Sequence, residues 1–142
     1  MASMMRNIHV ISRSGSLNRL QNSKENLDGI YHSYIFAIHN HPGFSQDKLS
    51  RHLCVSKSSV TRHLAFLEEH GYIERRAGND KRELLVFPTE KLNTAFEEVL
   101  TISRQWREAI TQELSDEEKE IAAKVLEKMA KKARELVFGS EE

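Results

Sequence analysis

The sequence predicts a mainly α-helical protein with one small β-hairpin, an α+β fold, on three observations. Apolar residues recur at three- and four-residue steps through most of the 142 residues, as amphipathic helices require. One segment, 72–87, instead shows a two-residue period on either side of a polar centre, as a hairpin does. A serine or threonine precedes four of the helical stretches, at the position where helices begin.

Composition is that of an ordinary globular protein, with 39% hydrophobic and 30% charged residues. No apolar run approaches the ~18 residues that span a membrane, and the N-terminal residues lack the pattern of a secretory signal. We therefore expect a cytoplasmic protein with no membrane partner. The single cysteine, Cys54, excludes an internal disulfide and a thiolate cluster for zinc. We expect it to be a small half-buried residue, with a redox switch as the alternative.

The first 40 residues predict two helices. The second spans 27–39 and should end near Asn40, because the residue before Pro42 avoids the helical region. Its apolar face is formed by Leu27, Ile30, Tyr31, Tyr34, Ile35 and Ile38. The preceding stripe is weaker, and the triplet Ser14-Gly15-Ser16 should interrupt it. That stripe consists of Ile8, Ile11, Leu17 and Leu20.

Two short helices follow the turn at Pro42. Ser45 is the predicted N-cap of a helix that ends at Leu53, and Ser56 is that of a helix that ends at Gly71. The second helix has an apolar face formed by Val60, Leu64 and Leu67. Two such helices with a tight connection are typical of a helix-turn-helix.

The hairpin and two long helices complete the chain. Strands are predicted at 72–76 and 84–87, with a charged tip at 77–83. Thr89 is the predicted N-cap of a helix, and Ser115 begins a capping box that starts the last one. The stripe of the first consists of Leu92, Phe96, Val99, Trp106 and Ile110. The last helix carries an apolar surface broader than one small domain needs, and it includes Ala122, Val125, Leu126, Met129, Ala130 and Val137.

Charge is unevenly distributed, although the net charge is zero. Residues 1–40 contain four basic and two acidic residues, and residues 41–88 contain eight and six. Residues 89–142 contain nine basic and thirteen acidic residues. The middle of the chain can therefore present a locally basic face to a polyanion.

The second short helix has the residue types of a helix that enters the major groove of DNA. Such a helix buries one face and offers short donors, acceptors and a cation on the other. Its polar N-terminal half supplies Ser56, Lys57, Ser58, Ser59, Thr61 and Arg62. We expect Arg62 to contact a base edge or a phosphate, and Ser56 with the first amides to hold a phosphate. An ordinary solvated helix surface is the alternative.

These segments resemble the MarR family of winged helix-turn-helix regulators. The resemblance is carried by residues 49–53, 55–62, 67–68 and 71–75 and by the triplet Asp80-Lys81-Arg82. It implies a homodimer that binds palindromic double-stranded DNA and acts as a transcription regulator, typically a repressor. The DNA-binding domain would be 41–88, between dimerisation helices at 1–40 and 89–142.

The predicted hairpin would be the wing, whose positive tip suits the minor groove. Arg82, next to Lys81, is the expected inserted residue, and the resemblance implies that Asp80 braces it. Arg75 and Arg76 are expected to reach phosphates or to pair with Glu74 and Glu83. Many relatives carry a basic residue where this chain has Phe66, which indicates a thymine-methyl contact or simple packing.

The resemblance also implies release by a small-molecule effector, with no cofactor. By position along the chain, the cleft for it would be lined by His9, Arg13, Tyr31 and His32. A metal sensor using His32, His39 and His41 is an alternative, although the histidines lack ligand spacing. No catalytic motif is present, so we do not expect an enzyme. The other alternative is a winged-helix adaptor that binds protein.

Overall fold

The computed structural model describes residues 2–24, 27, 29–80 and 82–140. In this part of the chain there are six helices and a three-stranded antiparallel sheet, which confirms the mainly α fold with a small β wing. The helices are α1 (Ala2–Asn22), α2 (Gly29–Asn40), α3 (Gln46–Leu53), α4 (Lys57–Glu69), α5 (Glu90–Ile110) and α6 (Asp116–Phe138). The strands are β1 (Phe44–Ser45), β2 (Ile73–Ala77) and β3 (Leu84–Pro88). No helix in the described ranges is both long and apolar enough to cross a bilayer.

Helix α1 is continuous, so the predicted interruption at Ser14-Gly15-Ser16 is wrong. The triplet is instead the point at which α1 packs against α5. Gly15 is buried, and a Cβ there would lie 3.2 Å from the Trp106 ring. The indole Nε1 of Trp106 donates to Ser14 Oγ at 3.1 Å. Small residues here allow close helix packing rather than ending the helix.

Helix α2 crosses α1 at a still closer contact. A Cβ on Gly29 would lie 2.8 Å from the backbone oxygen of Ser16, so only glycine fits without movement. Most of the predicted α2 face is buried or half-buried, but Ile30 is exposed. Ile30 is the second residue of α2 and lies in its first turn.

The core joins α2, α3, α4 and α5 to the sheet. Its fully buried large apolar side chains are Tyr34, Ile35, Ile38, Leu49, Val60, Leu64, Leu67, Val86 and Leu92. Leu53, predicted to face inward from α3, is partly buried against this cluster. The helix-turn-helix is therefore packed onto the scaffold helices rather than attached by a flexible linker.

The sheet contains a strand that the sequence did not predict. Phe44 and Ser45 form β1, which pairs with β3 opposite Val86 and Leu85, and the strand order is β1-β3-β2. Two residues are too few to show a two-residue period, which is why β1 escaped notice. The turn before it depends on Gly43, whose φ of +89° suits glycine and whose amide donates to Val86 O at 2.8 Å.

The predicted caps of the long helices are confirmed. The Thr89 side chain accepts from the Leu92 amide, and Ser115 and Glu118 form both bonds of the capping box. Helix α5 buries Leu92, Phe96 and Val99 of its predicted stripe. Helix α6 differs, because none of its residues is buried.

Candidate nucleic-acid interface

Helix α4 is divided into a buried and an exposed face, as its sequence predicts. Val60, Leu64 and Leu67 are almost completely inaccessible to solvent. Residues on the other side, including Ser58, Thr61 and Arg62, are exposed. The short donors and the cation are thus available to another molecule along the first two turns.

Hydrogen bonds among polar side chains organise the start of α4. The Ser56 hydroxyl accepts from the Ser59 amide at 3.2 Å and donates to Ser59 Oγ at 3.0 Å. Arg62 donates from Nη2 to Ser59 Oγ at 3.1 Å, which holds its guanidinium along the helix. Lys57 forms an exposed ion pair with Asp47 of α3 at 3.5 Å. The helix start combines a positive dipole end with two oriented cations, the setting in which a phosphate binds.

Cys54 lies in the turn between α3 and α4, and it is exposed rather than half-buried as predicted. The residue caps α3 with φ 53° and ψ 52°, in the left-handed region, and its amide donates to the last carbonyls of that helix. This capping position, outside the regular helix, turns the side chain toward solvent.

The C-terminal half of α4 is held against α2 by aromatic side chains. Phe66 stacks between Tyr31, at 4.4 Å between ring centroids, and His70, at 4.0 Å. The interpretation of Phe66 as a packing residue is therefore the one that the structure favours. Burial, with a smaller effect of Tyr31, raises the pKa of Tyr34 to about 12. The Tyr34 hydroxyl is hydrogen-bonded to His63 Nδ1 at 2.8 Å.

The wing places Arg82 at an exposed tip, between β2 and β3. The Asp80 carboxylate accepts from the backbone amide of Arg82 at 3.1 Å. The predicted bracing by Asp80 therefore acts on the backbone of Arg82. It fixes the turn from which the Arg82 side chain extends. Lys81, the third predicted residue of the tip, lies outside the described residues.

Arg75 has a different partner from those predicted. It donates from Nη2 and Nε to both carboxylate oxygens of Glu68, at 2.9 and 3.2 Å, and from Nη1 to Gln46 at 3.0 Å. The hydrogen bond to Arg75 lowers the pKa of Glu68 and raises that of Arg75. Because side chains alternate along β2, Arg75 points back toward α4 instead of outward. Arg75 therefore joins strand β2 to helices α3 and α4.

Arg76 points to the other face of the strand. It pairs with Glu74 at 3.2 Å, which was one of the predicted alternatives, and its guanidinium lies 4.3 Å from the centre of the Phe87 ring. Its side chain remains 61% exposed, so this cation is still accessible beside the wing.

The four residues predicted to bind an effector differ in accessibility. His9 and Arg13 are exposed on α1, Tyr31 is half-buried against Phe66, and His32 is fully buried. A ligand can therefore reach His32 only if its surroundings move.

The histidines considered for a metal are engaged in other contacts. His39 stacks on Phe96 at 3.6 Å and is hydrogen-bonded to Asn93, while His41 stacks on Phe44 at 4.4 Å. Among the described residues, no three histidine, cysteine or carboxylate side chains are grouped as metal ligands would be.

Sequence reasoning missed Gln46, Glu68 and the Tyr34–His63 pair as residues that orient this surface. Each acts between elements, and pairs such as Glu68 and Arg75 are separated by a helix end and a turn. Helical or strand periodicity carries no signal for such contacts.

Comparisons with known proteins agree with this architecture. Residues 32–84 match the model of the MarR family. An uncharacterized HTH-type transcriptional regulator of Bacillus subtilis (strain 168), YwoH, is 31% identical over 118 residues, covering 80% of this chain and 85% of that protein.

Two solved structures show the same fold. A MarR protein from Peptoclostridium difficile has a TM-score of 0.84 at 27% identity, covering 92% of this chain and 87% of that one. A MarR mutant from E. coli, complexed with operator DNA, has a TM-score of 0.79 at 22% identity, covering 89% and 93%.

Proposed function

The chain belongs to the MarR family, whose members are transcriptional regulators and not enzymes, and from this we propose that it binds palindromic duplex DNA as a homodimer. The observation that carries the proposal is the division of α4. The apolar residues of α4 are buried within the chain, so its exposed polar face is available for a ligand. The related E. coli MarR structure contains operator DNA.

In this proposal the start of α4 enters the major groove. Ser58, Thr61 and Arg62 face base edges, while Ser56 and Lys57 approach the phosphates next to them. Arg62 is the principal contact, because it is the one cation that the helix itself holds in a fixed orientation, through Ser59.

The wing supplies a second contact, in the minor groove. Arg82 is exposed at the tip, and the Asp80 bond fixes the backbone beneath it. Arg76 lies near the phosphates and adds salt-dependent affinity. Arg75 instead holds the wing against α3 and α4, since both carboxylate oxygens of Glu68 and the side-chain oxygen of Gln46 already accept from its guanidinium.

Dimerisation is supported by the apolar surface that α1 and α6 expose. Within the described residues, a single chain leaves 15 large apolar side chains exposed, more than scattered surface positions account for. On these two helices they are Met4, Met5, Val10, Ile11, Leu17, Leu20, Ile121, Val125, Leu126, Leu136 and Val137. Burial against a second copy would pair two recognition helices by two-fold symmetry, as a palindrome requires. The functional division is then 1–40 and 89–142 for dimerisation and 41–88 for DNA.

The effector proposal is supported by one contact. Tyr31, one of the residues predicted to bind it, stacks directly on Phe66 of the recognition helix. A small molecule that displaced the Tyr31 ring would change how α4 is held, which couples binding of the effector to release of DNA. His9 and Arg13, exposed on α1, are the polar groups of this proposed site.

The test is selection of duplexes from a random-sequence pool by the full chain, followed by affinity measurements at two salt concentrations. We expect a palindromic consensus and an affinity that falls as salt rises. Arg62→Ala and Arg82→Ala should each weaken binding about tenfold or more, the scale of one charge-assisted contact. Arg104→Ala, which removes an exposed arginine of α5, serves as the control and should bind normally.

Normal affinity in both the Arg62 and Arg82 variants would overturn the assignment of the interface. If the wild-type chain selected no duplex even at low salt, the winged-helix adaptor that binds protein would replace the regulator.

A further inference from the structure

The two helices α3 and α6 are joined at their C-terminal ends by reciprocal arginine contacts. Arg51 of α3 donates from Nη1 to Gly139 O at 2.8 Å and from Nη2 to Phe138 O at 2.9 Å. Arg134 of α6 donates from Nε to His52 O at 3.1 Å. We refer to these five residues as the clasp. Each arginine reaches the last carbonyls of the other helix, across more than 80 residues of sequence.

Electrostatics explain why an arginine is needed at the end of α6. The last turn of this helix contains no basic residue, although the carbonyl end of a helix dipole attracts cations. Arg51 supplies that cation from α3, and its planar fork matches two neighbouring carbonyl oxygens. Its guanidinium also lies 5.6 Å from the centre of the Phe138 ring.

The clasp is the main attachment of α6 to its own chain. Helix α6 contacts α3 more than it contacts any other described element. Its few half-buried residues include Arg134, Glu135 and Phe138, all at this end. Towards its start, Ile121 and Val125 are 61% and 48% exposed.

The clasp lies on the opposite face of α6 from the exposed apolar residues of that helix, which we call the open apolar stripe. The stripe consists of Ile121, Val125, Leu126, Leu136 and Val137. Val125 of the stripe and Arg134 of the clasp are nine residues apart, and nine residues at about 100° each end half a turn apart. One face can therefore contact a second copy while the other holds α3. Because α3 packs directly on α4, the orientation of α3 on α6 also sets that of the recognition helix.

We propose that Arg51 and Arg134 are positioning residues that set the separation of the two recognition helices in the dimer. They orient each helix-turn-helix on α6 through the clasp, without touching DNA themselves. The proposal rests on the proposed dimeric DNA binding and adds the element that selects the spacing between half-sites.

The first experiment needs no DNA. Cys54 is the single cysteine of the chain, and it is exposed next to α4. A nitroxide attached to it in each subunit therefore reports the distance between the two helix-turn-helix units of the dimer. Pulsed electron paramagnetic resonance should give one narrow distribution of distances between the two nitroxides in the wild-type dimer. Arg51→Gln and Arg134→Gln should broaden it or shift it by several ångströms, while Lys124→Gln, which removes an exposed charge of α6, should leave it unchanged.

The second experiment uses the selected palindrome with its centre lengthened or shortened by one base pair. The wild type should discriminate against both altered spacings. Arg51→Gln should lose about tenfold in affinity for the best spacing, the scale of one charge-assisted hydrogen bond, and most of the discrimination. Arg51→Lys, which restores the charge but not the fork, should recover only part of it. A variant that merely destabilised the fold would weaken all spacings equally.

The outcomes separate the two proposals. Identical Cys54 distances in the wild type and both clasp variants overturn the clasp, even if DNA binding is normal. A wild type that selects no duplex overturns the proposed DNA binding, and the distances still decide the clasp. A wild type that stays monomeric overturns both.

Discussion

Helices α4 and α6 are both amphipathic, but only α4 buries its apolar face within the chain. Leu64 of α4 is 0% exposed, whereas Leu126 of α6 is 52% exposed. Packing onto α2, α3 and the sheet buries the apolar face of α4 and leaves its polar face exposed to another molecule. Helix α6 is attached through its polar side and leaves its apolar side open. Two similar sequence patterns thus leave different faces exposed, and in the proposed function the polar face of α4 binds a polyanion while the apolar face of α6 binds a second copy.

The largest effect should come from opening a cavity under α4. Leu64→Ala is expected to lower the free energy of unfolding by about 2–5 kcal/mol, because a fully buried leucine leaves both lost contacts and a void. Urea unfolding measures this. Leu84→Ala, at a leucine of the wing that is 42% exposed, is the matched control and should cost less than about 1 kcal/mol. Equal losses would mean that the two sites do not differ in burial.

On α6 the corresponding change should affect assembly rather than folding of the chain. Val125→Asp is expected to raise the dimer dissociation constant about 100-fold or more, because a carboxylate would have to be buried without a partner. Sedimentation over a concentration series measures it. Lys124→Asp places the same carboxylate on the adjacent residue, away from the apolar stripe, and should leave the dimer intact. A stable Val125→Asp dimer would refute α6 as the interface.

The crossing of α1 and α2 offers a test in which the expected loss of stability is smaller. Gly29→Ala is expected to destabilise the chain by about 1–3 kcal/mol, since its Cβ would lie 2.8 Å from a backbone oxygen of α1 that cannot rotate away. Gly15→Ala should cost less, because the atoms at 3.2 and 3.3 Å belong to the Trp106 side chain. Thermal unfolding of the two variants gives the order, and the reverse order would contradict the close crossing at Gly29.

The last test concerns the contact between α2 and α4, where stability at neutral pH is unaffected and the effect appears only in alkali. The pKa of Tyr34 is raised from 10.0 to about 12, so the folded chain retains a proton that the unfolded chain loses. Stability should be fully present below pH 10 and fall by about 1.4 kcal/mol per pH unit between the two values. Urea unfolding from pH 9 to 12 tests this, and Tyr34→Phe should lack that part of the slope. An unchanged slope in the variant would show that Tyr34 is not the group responsible.

Much of this architecture could be predicted because its signals are local. The caps at Ser45, Ser56, Thr89 and Ser115 and the buried face of α4 follow from residue type and helical period. The exposed polar start of α4, with Ser58 and Arg62, could be inferred in the same way. These features depend on residues within a few positions of one another.

Contacts between elements could not be predicted in that way. The triplet Ser14-Gly15-Ser16 has the residue types of a helix break, but it packs against Trp106. Arg75 was predicted to contact a phosphate, but it pairs with Glu68. In both cases the nearest partner lies on another element, and a one-dimensional pattern holds no information about it.

Local sequence was sufficient to specify α2 to α6, the hairpin and the polar face of α4, because hydrogen bonding and apolar periodicity act over one or two turns. Packing in three dimensions assigned the individual side chains, joining Arg51 to the end of α6 and Arg75 to α4 while leaving the α6 stripe open. Those assignments depend on which surfaces the folded chain brings within hydrogen-bonding distance, and Arg51 and Gly139, which meet in the fold, are 88 positions apart in the sequence.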